Sequence, residues 1–320
     1  MLSFHQVVKD DFAAVNDTII QQLHSRVALV ENIGHYIVDA GGKRLRPLLV
    51  LLVANALGYR GRDHIHMAAV VEFIHTATLL HDDVVDVSSL RRGRPTANAN
   101  WGNAPSVLVG DFLYSRAFEM LVELGRLPIM QVMASATNII SEGEVLQLVN
   151  AGDASTDEVR YRQVISNKTA KLFEAAAQCA AIITDASDEQ VAAMAAYGHH
   201  LGMAFQLIDD VLDYAGTAEE MGKNVGDDLA EGKPTLPLIY TLANGSERAK
   251  QIVRKAISEK TAEDLDEIAA EIQANGALDY TRAAAEAEVA RAIDCLACLD
   301  DSPIKAAMQD LANFSVARRH

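Results

Sequence analysis

Two short stretches of the sequence each carry three aspartates at the same spacing. They are Asp82, Asp83 and Asp86 in LLHDDVVD, and Asp209, Asp210 and Asp213 in QLIDDVLDY. On a helix, the first and last aspartates of each set lie on one face, about 5.4 Å apart, and repel each other modestly. Carboxylate oxygens are also the ligands that Mg²⁺ prefers. A solvated helix surface would explain one such pattern, but its repetition after two apolar runs favours a metal site.

Basic residues accompany these aspartates. Arg91, Arg92 and Arg94 follow the first set directly in RRGRP. Carboxylates alone repel a diphosphate, whereas Mg²⁺ between them removes the repulsion and leaves phosphate oxygens for arginine to bind bidentately. Further lysines and arginines are Lys43, Arg44 and Arg46 in GGKRLRP, Lys168 and Lys171 in SNKTAKLFEAA, and Lys223 and Lys233 in GKNVGDDLAEGKPTLP. Each segment alone also fits a solvated loop, but together they indicate a diphosphate site with a Gly-rich lid.

Helices must position these side chains. RPLLVLLVANALG, residues 46–58, predicts a buried helix that begins near Pro47 and ends at Gly58. Residues 65–87 form an apolar run long enough for six turns that ends in the first aspartates. Leu265, Ile268 and Ile272 have helical spacing, and no persistent strand pattern occurs. We therefore expect an all-α protein with a single domain over residues 1–320.

Composition narrows the class of protein. Half of the residues are hydrophobic, only 5% are aromatic, and the net charge is −16. So acidic a chain is a poor candidate for binding nucleic acid or anionic lipid. The N-terminus has no apolar signal core and no window suits a transmembrane helix, so we expect a soluble, cytoplasmic protein. Cys295 and Cys298 form an isolated CxxC that favours two small buried side chains over a zinc site.

These motifs resemble the trans-prenyl diphosphate synthase family. The resemblance extends over most of the chain through GGKRLRP, LLHDDVVD, RRGRPT, LVGDFL, EGEVLQL, NKTAKLF, FQLIDDVLDY and GKNVGDDLAEGKPTLP. It is greatest to the bacterial octaprenyl members, which make the side chain of ubiquinone and menaquinone. Val87 departs from the pattern, because close relatives often have an acidic residue there. The resemblance implies a helical bundle around a deep central cavity, with the two aspartate motifs facing each other, and a homodimer.

The resemblance also implies a reaction, in which isopentenyl diphosphate condenses with an allylic diphosphate such as farnesyl diphosphate. Three Mg²⁺ ions would bind Asp82, Asp86 and Asp209, with Asp83, Asp210 and Asp213 in support. The residues expected to contact the allylic diphosphate are Arg91, Lys168, Lys223 and Lys233. Those expected to hold isopentenyl diphosphate are Lys43, Arg46, His75 and Arg92. Thr169 and Gln206 would offer oxygens to the allylic cation, and the departing diphosphate would take the proton.

Product length should depend on the space below Asp82. Ala77 and Thr78, one turn earlier, are small where short-chain members of the family typically have aromatic residues, so we expect a long product. Met120, Leu121 and Met133 are candidates for the tunnel floor, although core packing explains each of them as simply. His75 could likewise be an ordinary buried histidine, and we interpret His199 and His200 as structural.

Alternatives remain from other classes. A shorter- or longer-chain synthase, such as a geranylgeranyl or nonaprenyl enzyme, would share the same motifs. A terpene cyclase rarely keeps a second DDxxD or a GGKRxRP motif, and a non-catalytic partner subunit generally loses aspartates or basic residues that are all present here. The sequence contains no membrane anchor, so any membrane contact should be weak and serve product release.

Overall fold

The chain is helical almost throughout the residues that the structure, a computed structural model, describes, namely 3–215 and 226–318. This confirms the all-α class expected from the sequence. In chain order the helices are α1 (Ser3–Gln6), α2 (Lys9–Gln22), α3 (Ala28–Asp39), α4 (Leu45–Ala56), α5 (Asp63–Val85), α6 (Ala97–Trp101), α7 (Asn103–Leu124), α8 (Leu127–Asn150), α9 (Glu158–Ile165), α10 (Lys171–Ile183), α11 (Asp188–Ala215), α12 (Asp227–Ala230), α13 (Leu236–Asn244), α14 (Glu247–Glu259), α15 (Leu265–Ala274), α16 (Ala277–Cys295) and α17 (Pro303–Ala317).

The chain divides into two compact units. The first comprises Met1–Ser135, Leu172–Gly198 and Cys295–Leu311, and the second comprises Ala136–Lys171, His199–Asp294 and Ala312–His320. The first aspartate motif belongs to the first unit and the second motif to the second. The single domain expected over residues 1–320 stays a prediction.

Helix α5 is central to the first unit, where it packs against α2, α4 and α7. Its neighbour α4 is buried along nearly its whole length, as the apolar run predicted, although it begins two residues before Pro47. Gly58 follows α4 with a φ of 77°, and Tyr59 N–H closes the helix end by donating to the carbonyl of Ala54. This is the glycine-terminated helix end that the sequence indicated.

A small antiparallel hairpin interrupts the helices after α5. Its strands are β1 (Leu90–Arg91) and β2 (Arg94–Pro95), and Arg91 pairs with Arg94. The two residues of the turn, Arg92 and Gly93, have φ values of 53° and 71°, as in a type I′ turn. No local sequence pattern indicated this hairpin, which carries the arginines of RRGRP.

The second unit has an apolar core that surrounds the C-terminal part of α11. Buried side chains from α9 and α11 pack together there, including Tyr161, Leu207 and Ile208. Val211 and Tyr214 continue the core towards α13, α14 and α15. The helix predicted around Leu265 begins at that residue and buries Ile268 and Ile272.

Within residues 3–215 and 226–318, every helix is too short or too polar to cross a lipid bilayer.

Candidate active site

The first aspartate motif lies at the C-terminal end of α5. Asp82 belongs to the last turn, and Asp86 follows the helix with its N–H donating to the carbonyl of Asp82 over 2.8 Å. Both aspartates are half-buried. A helix C-terminus carries a partial negative charge, so two carboxylates there create a strong attraction for a cation.

The residues after Asp86 close the helix in an unusual way. Val87 N–H donates to the carbonyl of Val84, and Ser88 N–H donates to the carbonyl of Asp83, which is a Schellman motif. The motif requires a left-handed residue at Val87, where φ is 53°. Glycine normally occupies this position, and a β-branched residue there is strained.

Asp83, the middle residue of the first motif, points inward. It is fully buried, and its Oδ1 lies 2.7 Å from both Nε and Nη2 of Arg91. Asn98 also donates to its backbone carbonyl. Asp83 therefore fixes Arg91 beside the aspartate motif, which is a positioning role.

A buried glutamate lies beneath the basic residues of the first unit. Glu72 is 8% exposed, and one of its carboxylate oxygens is 3.9 Å from Nε of Arg44. Burial raises the pKa of Glu72, while the charges of Arg44, Arg46 and Arg92 act in the opposite direction. One internal carboxylate thus reduces the mutual repulsion of three guanidinium groups.

The position of Arg46 defines the tautomer of His75. Nη1 of Arg46 lies 3.3 Å from Nε2 of His75, and the guanidinium stacks 4.3 Å from the ring centre of Phe173. Burial, and then the arginines around it, hold the pKa of His75 well below its usual range, so the ring is neutral at pH 7. Because arginine only donates, Nε2 accepts and Nδ1 carries the proton.

Glycine is needed where the GGK segment meets the hairpin. A Cβ at Gly42 would come within 2.7 Å of the guanidinium of Arg92. The φ of Gly42, 135°, also disfavours any other residue. The backbone of Gly42 therefore forms a contact surface for a side chain expected to bind phosphate.

Lys168 and Thr169 of the second unit lie in a π-helical turn, Ser166–Ala170, between α9 and α10. The apolar helix α10 begins only after this turn, at Lys171. Gly143 of α8 packs against this turn, and a Cβ there would lie 2.8 Å from the amide nitrogen of Lys168. Lys168 pairs with Glu144 at 2.6 Å. Such π-helical turns are frequent at functional sites.

The middle aspartate of the second motif is also buried. Tyr161 donates to Oδ2 of Asp210 over 2.6 Å, and Nε2 of Gln206 donates to Oδ1 over 2.8 Å. Thr169 donates to Oε1 of Gln206 over 2.9 Å. Burial, followed by the charge of Asp228, raises the pKa of Asp210 to about 8. The structure thus joins Thr169 and Gln206, both expected near the allylic group, to Asp210.

The outer aspartates of the second motif differ from each other. Asp209 is 37% exposed and pairs with Arg318, whose own side chain is 4% exposed and stacks on Phe205. Asp213 is fully buried. Asp209 is therefore the carboxylate of this motif that is most accessible to a metal ion.

Of the two lysines predicted in the Gly-rich segment, the structure describes Lys233. Lys233 forms ion pairs with Glu231 and, at 3.9 Å, with Asp228. Its amide also donates to the carbonyl of Asp228 over 2.8 Å, which fixes the backbone there. Lys223 lies outside the described residues.

Lys43, the lysine of the GGK segment, is half-buried in the irregular segment before α4.

The candidate chain-length residues are all in the first unit. Ala77 is fully buried on α5, and Thr78 donates to the carbonyl of His75 over 2.8 Å. Met120 and Leu121 of α7, which packs against α5, are 1% exposed, and Met133 of α8 is completely buried. Their burial fits both a tunnel wall and ordinary core packing.

The donors fit a hard cation such as Mg²⁺. Asp82 and Asp86 of the first unit are half-buried and Asp209 of the second unit is partly exposed, whereas Asp83 and Asp210 are buried and accept hydrogen bonds from neighbouring side chains. In the part of the chain that the structure describes, no three acidic, histidine or cysteine side chains converge as a complete metal site. Mg²⁺ typically binds through one or two carboxylates together with substrate phosphates, and the pair of carboxylates at Asp82 and Asp86 matches that mode.

Sequence reasoning missed four residues of this site. Glu72, Glu144, Tyr161 and Arg318 each contact a residue that the motifs indicated. The sequence did contain a sign of the role of Glu72, because a glutamate within an apolar helical run needs a charged or hydrogen-bonding partner. The remaining three gave none, since their partners are distant in sequence or on another helix. His200, expected to be structural, lies on the same helix as the second motif, and its Nδ1 donates to Oε2 of Glu288 over 2.7 Å.

The two cysteines of the CxxC are less buried than expected. Cys295 ends α16 and Cys298 lies in the 3₁₀ turn Leu296–Cys298; both are half-buried, and neither forms a disulfide.

Comparisons with known proteins identify the family. The family model for polyprenyl synthetase matches residues 27–274. The chain is 50% identical to octaprenyl diphosphate synthase of Escherichia coli (strain K12) over 98% of both chains. It is 44% identical to all-trans-nonaprenyl-diphosphate synthase (geranyl-diphosphate specific) of Rhodobacter capsulatus over 97% of this chain and 96% of that one. The crystal structure of polyprenyl synthase from Caulobacter crescentus CB15, complexed with calcium and isoprenyl diphosphate, superposes with a TM-score of 0.97 at 42% identity, covering 99% of this chain and 98% of that one.

Proposed function

This chain belongs to the polyprenyl synthetase family, and on that premise we propose that it is a long-chain trans-polyprenyl diphosphate synthase. It is a prenyltransferase that condenses isopentenyl diphosphate repeatedly with an allylic diphosphate, from farnesyl diphosphate to octaprenyl diphosphate, for a quinone side chain. The identity with the Escherichia coli enzyme over nearly the whole of both chains carries the proposal.

The basic residues of the first unit hold isopentenyl diphosphate in this proposal. Arg46 and Arg92 bind its phosphate oxygens, and Lys43 adds a third positive charge. His75 supports binding as a neutral donor, because its Nε2 accepts from Arg46 and its Nδ1 keeps the proton. Glu72 keeps the guanidinium groups close together before the substrate arrives, so little reorganisation is needed on binding.

The residues of the second unit serve the allylic substrate. Lys168, Lys233 and the undescribed Lys223 bind the diphosphate, as does Arg91 of the first unit. The Thr169 and Gln206 oxygens face the positive charge that develops when the allylic C–O bond breaks. Their mutual hydrogen bond holds them in place before the reaction, which lowers the reorganisation needed in the transition state.

Asp82, Asp86 and Asp209 would hold Mg²⁺, three ions in all when substrate is bound. A metal held by these carboxylates would supply positive charge that offsets the charge developing on the departing diphosphate. The isoprenyl diphosphate and calcium named for the Caulobacter crescentus structure support a site of this composition in the family. The homodimer and the cytoplasmic location expected from the sequence stay predictions.

Product analysis tests the proposal. The purified protein is incubated with Mg²⁺, farnesyl diphosphate and excess isopentenyl diphosphate, and the products are identified by mass spectrometry with a chelator control. We expect octaprenyl diphosphate that disappears with the chelator, and we expect Asp82→Ala to abolish turnover while the protein remains folded. A shorter or longer linear product would correct only the chain length. No product from any allylic primer would overturn the proposal and favour a partner-dependent subunit or a cyclase.

A further inference from the structure

Three hydrogen bonds in the second unit form one continuous chain. Thr169 donates to Oε1 of Gln206 over 2.9 Å, Nε2 of Gln206 donates to Oδ1 of Asp210 over 2.8 Å, and Tyr161 donates to Oδ2 of Asp210 over 2.6 Å. The chain starts at the residues proposed to face the allylic group and ends at a tyrosine that no motif indicated. The two inner members, Gln206 and Asp210, each have a different partner on either side.

The tyrosine is well placed to control the others. Tyr161 is 5% exposed, and its ring packs in the core cluster that includes Leu207 and Ile208 of α11. Burial and the neighbouring Asp210 raise the pKa of Tyr161 well above its usual range, so the phenol keeps its proton and remains a donor. Asp210 is 1% exposed, so water cannot readily replace the hydroxyl.

We propose that Tyr161 is a positioning residue: by holding Asp210, it fixes the side-chain amide of Gln206 with its carbonyl oxygen towards Thr169. A glutamine amide can turn over, and then its nitrogen and oxygen exchange places. Asp210, anchored by Tyr161, keeps the amide nitrogen on its own side. Without the anchor, Asp210 is free to turn and the glutamine carbonyl loses its fixed direction.

The chemical consequence depends on the proposed function, because it concerns the Gln206 oxygen that faces the allylic cation. A misdirected amide would present N–H groups to a developing positive charge, which raises the barrier. The isopentenyl diphosphate residues are not part of this chain of hydrogen bonds. The variant should therefore lose kcat with little change in KM for isopentenyl diphosphate.

The test uses Tyr161→Phe and two control variants that also lose one tyrosine hydroxyl each. Tyr197→Phe removes a buried hydroxyl that donates to the carbonyl of Met308 over 2.7 Å, and Tyr280→Phe removes an exposed one that donates to Glu158. We expect a fall in kcat of about fivefold for Tyr161→Phe, the loss typical of one hydrogen bond. Both controls should keep kcat within about twofold of the unmodified enzyme.

A double-mutant cycle distinguishes positioning from a general loss of stability. If Tyr161 acts through Asp210, the double variant Tyr161→Phe, Asp210→Asn should be no slower than Asp210→Asn alone. Effects that multiply would overturn the proposal, as would a kcat of Tyr161→Phe equal to that of Tyr197→Phe.

A second readout does not depend on catalysis. With ¹⁵N-labelled glutamine, the side-chain amide of Gln206 is assigned by its loss in Gln206→Glu and observed without substrate. It should shift or broaden in Tyr161→Phe and stay unchanged in Tyr197→Phe; an unchanged signal in both would overturn the inference even if the enzyme makes another product. Should Tyr161→Phe not fold, Asp210→Asn replaces it, and an undisturbed Gln206 signal with normal kcat there would equally overturn it.

Discussion

Nη2 of Arg318 lies 2.9 Å from Oδ1 of Asp209, the most accessible carboxylate of the second aspartate motif. The arginine also donates to the carbonyl of Phe205 and stacks 3.6 Å from the centre of its ring. A residue near the C-terminus therefore holds a proposed metal ligand through a charge of the same sign as the metal. Arg318 and Mg²⁺ should compete for Asp209.

We expect Arg318→Met to lower the Mg²⁺ concentration that gives half-maximal activity. The methionine keeps an apolar cover over Phe205 but removes the competing charge. The Mg²⁺ concentration should fall about two- to fivefold, which corresponds to the free energy of a partly exposed ion pair. A Mg²⁺ titration of activity measures it, and the Mg²⁺-dependent rise in melting temperature without substrate provides an independent check. Arg318→Lys, which keeps the charge, is the control; an unchanged Mg²⁺ requirement in folded Arg318→Met would show that the pair does not compete.

Gly143→Ala should impair catalysis by moving the π-helical turn. The new Cβ would lie 2.8 Å from the amide nitrogen of Lys168, so the turn must shift. Because small displacements of positioned groups are costly, we expect kcat to fall by at least about tenfold. Steady-state kinetics measure the loss. Gly34→Ala is the matched control, since its Cβ meets only the flexible end of Leu23; equal losses in the two variants would argue against a specific effect on the turn.

Val87→Asn should stabilise the protein. Val87 has a φ of 53° and is 82% exposed, and asparagine tolerates this left-handed conformation far better than a β-branched residue. The expected gain is about 1 kcal/mol in the free energy of unfolding, measured by urea denaturation. Val85→Asn is the control, because Val85 is also exposed but belongs to the right-handed last turn of α5. A loss of stability in Val87→Asn would contradict the inference that the backbone at Val87 is strained.

Glu288 should make stability depend on pH in the acidic range. It is 4% exposed and contacts His200 and Arg291, each at 2.7 Å. Burial opposes its ionisation, but the hydrogen bond from His200 and the charge of Arg291 outweigh burial and lower the pKa of Glu288 below 4.5. Its contribution is therefore complete above pH 4.5 and is lost as the pH falls through the lower folded-state pKa.

Glu288→Gln should consequently cost about 3 kcal/mol of unfolding free energy at neutral pH, the typical cost of breaking a buried ion pair. The difference from the unmodified protein should shrink as the pH falls below 4.5. Urea denaturation across this range measures it. Glu267→Gln breaks an exposed pair with Arg248, which solvent screens, and should leave stability almost unchanged. A constant difference at all pH values would exclude ionisation of Glu288 as the cause.

Ala77→Phe should shorten the product, if the growing chain passes this position of α5. Ala77 is fully buried, so the larger ring also costs about 1–3 kcal/mol of stability through overpacking. Product mass spectrometry on the folded variant measures chain length, and Ala77→Ser should leave it unchanged because serine is also small. A full-length product from Ala77→Phe would exclude this residue from chain-length control.

Local patterns predicted α4, α5 and the two aspartate motifs, because apolar spacing and glycine positions depend only on neighbouring residues. They did not predict the partners of those motifs. Tyr161 reaches Asp210 across 49 residues and His200 reaches Glu288 across 88, so only the packed helices bring them together. The π-helical turn was missed because local apolar spacing does not distinguish it from the α-helices on either side.

The contact between Gly42 and the guanidinium of Arg92 joins two segments that are fifty residues apart in the chain. Arg92 itself occupies a left-handed turn that depends on the glycine after it. The two segments therefore fit each other sterically. Neither can be exchanged alone for the corresponding segment of a relative. Redesign of diphosphate affinity in this enzyme would need to transplant the GGK segment and the arginine hairpin together.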